Sequence, residues 1–170
     1  SSSSAASDVY KRQEIDNTTE GCIFCDFPNQ ENDSRNLIVY RSAHCFVILN
    51  RFPYNNGHLM VVPYKHTSDV LQLSDEELLD LQLTINKSVR ALRNVVHPHA
   101  MNIGMNLGRT AGAGIDEHVH YHIVPRWDGD TNYMPIIAGT KVVSESLQAS
   151  FEKLTAEFDS CLLYTSPSPR

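Results

Sequence analysis

Residues 118–127 read HVHYHIVPRW. In extended backbone successive side chains point to opposite faces. His118, His120 and His122 therefore share one face, and Val119, Tyr121 and Ile123 share the other. The alternation predicts a strand over residues 118–124, with one face on the core and the other lining a polar cleft. A single histidine on such an element is ordinarily structural, but packing does not account for three in alternation. Two chemistries use such a row: imidazoles hold a metal, or a neutral imidazole attacks phosphorus while its neighbours manage charge.

The segment just upstream bears on that choice. Residues 105–114, MNLGRTAGAG, contain Gly108, Gly112 and Gly114, so backbone amides approach an anion closely there. A glycine-rich loop by itself is a weak signal. One that leads directly into the histidine row favours a phosphorus centre beside the imidazoles.

Working outward, residues 36–40 (NLIVY) and 45–50 (CFVILN) are short apolar, β-branched runs separated by RSAH, which suits a hairpin. The Pro/Asn/Gly-rich residues 53–57 turn the chain into a third strand at 58–63 (HLMVVP). Ser74 with Glu77 is a capping-box signature. Behind it Leu78, Leu81, Ile85, Val89 and Leu92 recur at helical spacing, which predicts a helix to about Val96. His97 and His99 fall in the turn that follows, and residues 101–107 form a fourth strand. A last helix follows Ser144, with Leu147, Phe151, Leu154 and Phe158 on one stripe. The expected fold class is α+β: a mostly antiparallel five-stranded sheet with two main helices.

The composition suits a single soluble domain. Of 170 residues, 41% are hydrophobic and 20% charged. A net charge of −6 argues against nonspecific binding of nucleic acid or anionic membrane. It leaves a small phosphate ligand open, because such a ligand feels a local site. No apolar run approaches the roughly 20 residues of a membrane span, and SSSSAASDVYKRQ has no signal-like apolar core. Four cysteines in such a chain read as thiols or metal ligands, and a cytoplasmic protein is expected. Residues 1–13 and 162–170 read as adaptor-derived or disordered tails, which leaves 14–161 as the domain.

His118-Val-His120-Tyr-His122-Ile-Val resembles the His-φ-His-φ-His-φ-φ signature of the histidine-triad (HIT) superfamily. Residues 45–66, CFVILNRFPYNNGHLMVVPYKH, are similar to that family's upstream block, and the resemblance extends over roughly residues 21–158. GCIFC at 21–25, NLG at 106–108 and PRWDGDTNYMP at 125–135 most resemble the branch of diadenosine tetraphosphate phosphorylases and related bacterial and archaeal hydrolases. The resemblance implies a HIT-like fold and a homodimer in which two sheets join edge to edge, covering exposed backbone groups.

It also implies chemistry. His120 is the expected nucleophile on an α-phosphorus, forming a nucleotidyl-histidine that passes to water or inorganic phosphate. A hydrogen bond at one ring nitrogen, in the family to a backbone carbonyl, leaves the other free to attack. His122 would stabilise the phosphate oxygens, with His118 and His58 in support. As a bare residue, His58 also reads as an ordinary strand-edge histidine. Asn50 stands where the family has a nucleotide-binding polar residue. Asn106, with the amides of Gly112 and Gly114, is the candidate for phosphate contact, and Trp127 for base stacking. The plainer alternatives are turn caps for the asparagines and core packing for the tryptophan. Many family members carry a Gln and a Ser or Thr before the first triad histidine. Here that stretch is Ala113-Gly114-Ile115-Asp116-Glu117, so backbone amides must substitute.

Cys22 and Cys25 form a CxxC pair, which alone fits half a zinc site, a redox pair or two ordinary thiols. In some relatives, hexose-phosphate uridylyltransferases among them, a histidine after the third strand and the first triad histidine complete a zinc site. The matching residues here are His66 and His118, so structural zinc is expected and no organic cofactor. Cys45 and Cys161 have no evident partners. The expected activity is nucleotidyl transfer from a dinucleoside polyphosphate, diadenosine tetraphosphate first, with inorganic phosphate as acceptor. Hydrolysis by water or phosphoramidase activity is the alternative. A noncatalytic nucleotide sensor and a metal-dependent hydrolase are the readings from other classes. The lack of an HExxH-type pair, or of a carboxylate within the histidine row, argues against the second of these.

Overall fold

The computed structural model describes residues 21–53, 55–130 and 146–161. The expected tails, 1–13 and 162–170, lie outside them, as does Ser144 before the last helix. The chain opens with two short helices, α1 (Ile23–Asn29) and α2 (Asp33–Asn36). Strands β1 (Ile38–Arg41), β2 (Cys45–Leu49) and β3 (Leu59–Pro63) follow. The long helix α3 (Asp75–Val95), β4 (Ala100–Met105), β5 (Tyr121–Arg126) and α4 (Leu147–Cys161) complete the order. All strand pairs are antiparallel, in the order β1-β2-β3-β5-β4. The expected α+β architecture is therefore the observed one.

Three elements depart from expectation. Helices α1 and α2 stand where no element was expected, since they are too short to carry a periodic signal. The histidine strand starts at Tyr121, not His118. Its ladder with β3 pairs Met60 with His122 and Val61 with Tyr121. The ladder cannot run on, because β3 ends at Pro63, which has no N–H to donate. Val119 donates its N–H to the carbonyl of Thr67 at 2.8 Å instead.

Helix α3 packs across β2 and β3, and α4 packs on α3 and β1. The Ser74 hydroxyl caps α3 by accepting from the Glu77 N–H at 3.2 Å. Leu81, Ile85 and Leu92 of the expected stripe are buried, but Leu78 is 40% exposed. The buried face also includes Thr84, Ser88 and Ala91. Small side chains let the helix approach the sheet, and their hydroxyls are satisfied locally. Ser88 Oγ donates to the Thr84 carbonyl at 2.8 Å, and Cys45 Sγ donates to Thr84 Oγ1 at 3.3 Å. Cys45 thus has the partner its sequence context did not reveal. In α4, Phe151, Leu154 and Phe158 are buried as expected, with Phe158 stacked on Tyr40 at 5.1 Å between centroids.

Among the described residues no strand pairs with the outer side of β4, where Ile103 is 47% exposed. No described helix is long and apolar enough to cross a membrane.

Candidate functional site

Gly57 turns the chain into β3 with φ of +78°, and a Cβ there would lie 3.1 Å from Leu92 Cδ2. Both the backbone conformation and the close packing require glycine. The turn delivers His58, fully buried, beside the histidine strand. The β3–β5 register sets Met60 opposite His122, so His58, two residues earlier, lies on the same sheet face diagonally across from it. Nε2 of His58 is 2.9 Å from Nδ1 of His122. The His120 and His122 rings stand edge to face, 4.8 Å between centroids. His58, His120 and His122 thus form one group.

Nδ1 of His120 lies 2.9 Å from the carbonyl oxygen of His118. A carbonyl only accepts, so Nδ1 carries the proton and Nε2 keeps its lone pair. Burial lowers the affinity of His120 for a second proton, against the raising effect of that hydrogen bond. Burial also pulls His58 down to about 3, helped by the charges of His122 and then His120. His122 is pulled down to about 4 by burial and then by His120. These are neutral rings at neutral pH, as nucleophilic use of an imidazole requires.

His118 leaves the row. The expected common face for all three histidines holds only for His120 and His122, because the backbone bends at His118 once the ladder ends. Its Nε2 donates to the Pro63 carbonyl at 2.7 Å, which commits the Nδ1 lone pair to the other side of the ring. There Nδ1 is 3.3 Å from Cys22 Sγ, 3.6 Å from Cys25 Sγ and 3.3 Å from His66 Nδ1. Cys25 Sγ is 3.4 Å from His66 Nδ1. All four donors lie within 4.8 Å of one another. The edges of a zinc tetrahedron with sulfur and nitrogen ligands are about 3.3–3.8 Å, and the four separations just given match them, so the donor set suits that ion. Burial, and next the charge of Cys22, pushes the Cys25 thiol up to about 11. A cation among these donors would reverse that penalty.

Asn50 is 3% exposed, and its amide lies 3.4 Å from His58 Nδ1. Asn106, Gly112 and Gly114 are exposed in the loop before the histidines. Gly112 has φ of +96°, and a Cβ there would lie 3.7 Å from Asn106 Nδ2, so these two expected phosphate contacts are neighbours. An ion pair at 3.3 Å between Arg109 and Asp116 spans the same loop. Trp127 is half-buried just past the far end of β5. At about 3.3 Å per residue it is on the order of 20 Å along the chain from His120, so the structure does not bring it to the triad.

Phe24 was not foreseen as part of the site. Its buried ring lies 4.9 Å from that of His120 and 5.6 Å from that of His118, between the Cys/His cluster and the triad. The available signal was its place inside CIFC, the lone aromatic between the two cysteines.

The description "HIT domain" belongs to the family model that matches residues 30–129. An AP-4-A phosphorylase of Mycobacterium tuberculosis is 42% identical over 135 residues, 79% of this chain and 69% of that protein. An adenosine 5'-monophosphoramidase of Schizosaccharomyces pombe is 31% identical over 105 residues, 62% of this chain and 74% of its own. Among solved structures, a Zn-bound histidine triad family protein from Mycobacterium smegmatis superposes with a TM-score of 0.67 at 25% identity, covering 85% of this chain and 97% of its own.

Proposed function

The chain belongs to the HIT domain family, and from that membership we propose that it is a nucleotidyltransferase acting on the α-phosphate of dinucleoside polyphosphates. Named phosphorylase and phosphoramidase relatives make nucleotide chemistry the shared ground. The observation that carries the reading is the His120 Nδ1 hydrogen bond to the His118 carbonyl, which leaves the Nε2 lone pair for phosphorus. Nε2 attacks the α-phosphorus, the bond to the bridging oxygen breaks, and the remaining nucleoside polyphosphate departs. The nucleotidyl-histidine then passes to inorganic phosphate, or to water in a hydrolase. His122, the Asn106 side chain and the Gly114 amide supply hydrogen bonds to phosphate oxygens, while the Gly112 N–H is already donated to the Arg109 carbonyl at 2.9 Å and shapes the loop. Trp127 is the proposed contact to the nucleoside portion at the distal end of a long substrate.

Cys22, Cys25, His66 and His118 would hold a structural zinc, fixing the amino-terminal helix to the segment that carries His120. Its reduced thiols suit the cytoplasm. The edge of β4, unpaired among the described residues, supports a homodimer formed by sheet extension, which sedimentation would detect as twice the chain mass.

A product assay on diadenosine tetraphosphate tests the activity, run with and without inorganic phosphate and with His120→Ala as control. ADP plus ATP only with phosphate supports the phosphorylase. AMP plus ATP without it makes the enzyme a hydrolase. No product from either would overturn the substrate class and favour phosphoramidates or a noncatalytic sensor.

A further inference from the structure

Asn50 has both ends of its amide engaged. A backbone N–H only donates, so the Asn50 atom facing Phe52 N at 2.9 Å is the carbonyl oxygen. The amide nitrogen is then the atom 3.4 Å from Nδ1 of His58. That nitrogen has no lone pair to give, so Nδ1 of His58 accepts, and a neutral His58 carries its proton on Nε2. Nε2 lies 2.9 Å from Nδ1 of His122 and donates to it. His122 therefore carries its own proton on Nε2.

We infer that Asn50 is a positioning residue: acting through His58, it holds His122 in the Nε2–H tautomer, so that His122 presents a donor to a phosphate oxygen. This rests on the proposed reading only in naming the phosphate as what His122 meets. The tautomer chain itself follows from donors and acceptors inside the protein. It gives Asn50 a task different from the nucleotide contact that sequence resemblance assigns to it. Burial keeps both rings neutral, which lets a single proton per link define the direction. Reversal would turn a bare nitrogen lone pair toward an anionic oxygen and remove a hydrogen bond from the transition state.

Asn50→Asp is the discriminating variant, because it is nearly isosteric and a carboxylate only accepts. One oxygen still accepts from Phe52, while the other requires a proton on His58 Nδ1. His58 Nε2 then becomes the acceptor, and His122 must move its proton to Nδ1. Two-bond 1H–15N spectra of histidine-labelled protein read each tautomer directly, without substrate. The expected result is Nε2–H for His58 and His122 in the wild type and Nδ1–H for both in Asn50→Asp. In kinetics on diadenosine tetraphosphate, kcat should fall about 100-fold, as for loss of one oxyanion donor, with KM nearly unchanged.

An Nδ1–H His122 in the wild type overturns the inference, and this reading stands even if the variant does not fold. An unchanged His122 in a folded Asn50→Asp also overturns it, as does a raised KM with unchanged kcat, the signature of a direct nucleotide contact. If the tautomers behave as expected while the wild type cleaves no dinucleoside polyphosphate, the proposed activity falls and the relay stands. If the wild type is active and the tautomers do not change, only the relay falls.

Discussion

The carbonyl oxygen of His118 lies 2.9 Å from Nδ1 of His120, and the ring of His118 is turned away into the Cys22–Cys25–His66 group. One residue thus links two clusters: its imidazole belongs to the candidate metal centre, and its backbone orients the proposed nucleophile. Its Nε2, bonded to the carbonyl of Pro63, pins that arrangement to the end of β3.

His120→Ala should lower turnover of diadenosine tetraphosphate by about 1,000-fold or more, because the covalent route is lost outright. Rapid quenching of the wild type in base should trap an acid-labile nucleotidyl adduct that peptide mass spectrometry locates on His120. An adduct on another residue, or a variant as active as the wild type, rules out the nucleophile assignment.

Protein isolated without chelators should contain about one zinc per chain, and Cys25→Ser or His66→Ala should lower that content. Because the four donors join α1, the segment after β3 and the turn before β5, removing the ion should lower the melting temperature. Elemental analysis with thermal unfolding in strong chelator checks both. A metal-free protein whose melting temperature ignores the chelator contradicts the assignment.

Stability should fall as the solution is acidified. Unfolded histidines take up protons below about pH 6.5. Burial delays this in the native state to about 3 for His58 and about 4 for His122. Through that window the unfolded chain binds protons that the native one refuses, so their contribution is complete above about pH 6.5 and lost progressively toward about pH 4. Urea midpoints near neutrality and near pH 5 measure the effect, and His58→Gln should flatten it. Equal midpoints at both values would show that the buried imidazoles carry no such penalty.

Phe158→Ala should destabilise the fold by about 3–5 kcal/mol, the cost of emptying a core aromatic site. Phe158 is fully buried and stacks on Tyr40 of β1, which β2 and β3 separate from the histidine strand in the sheet. Denaturant unfolding should register the loss while kcat below the melting transition stays unchanged. A stability change under 1 kcal/mol, on the order of a surface substitution, would show that α4 does not close the core.

Local patterning carried much of the fold. Apolar, β-branched runs marked the first strands, alternation marked the histidine strand, and Ser74 with Glu77 marked the start of α3, because these signals depend only on neighbouring residues and backbone geometry. The buried face of α3 was less legible. Apolar spacing selected Leu78, whereas the buried face includes Thr84, Ser88 and Ala91, small residues whose two hydroxyls are satisfied locally and which hydropathy does not mark. Helix α1 escaped notice because one or two turns establish no period, and with it went the placement of Phe24.

The sequence by itself determined the residue types of the site: the His row, the Gly57–His58 turn, the CxxC pair and the glycine-rich loop, each recognisable because its chemistry needs those groups close together in the chain. The resemblance already grouped His66 and His118 with the cysteines, and tertiary structure decided how that group separates from the triad. Cys22 and His118 are 96 positions apart, and only the end of the β3 ladder at Pro63 explains why His118 turns toward the cysteines while His120 and His122 stay with His58. Proton positions were decided there too. A histidine's tautomer depends on which donor or acceptor faces each ring nitrogen, and those partners, the His118 carbonyl, the Pro63 carbonyl and the Asn50 amide, meet the rings only when the strands are paired.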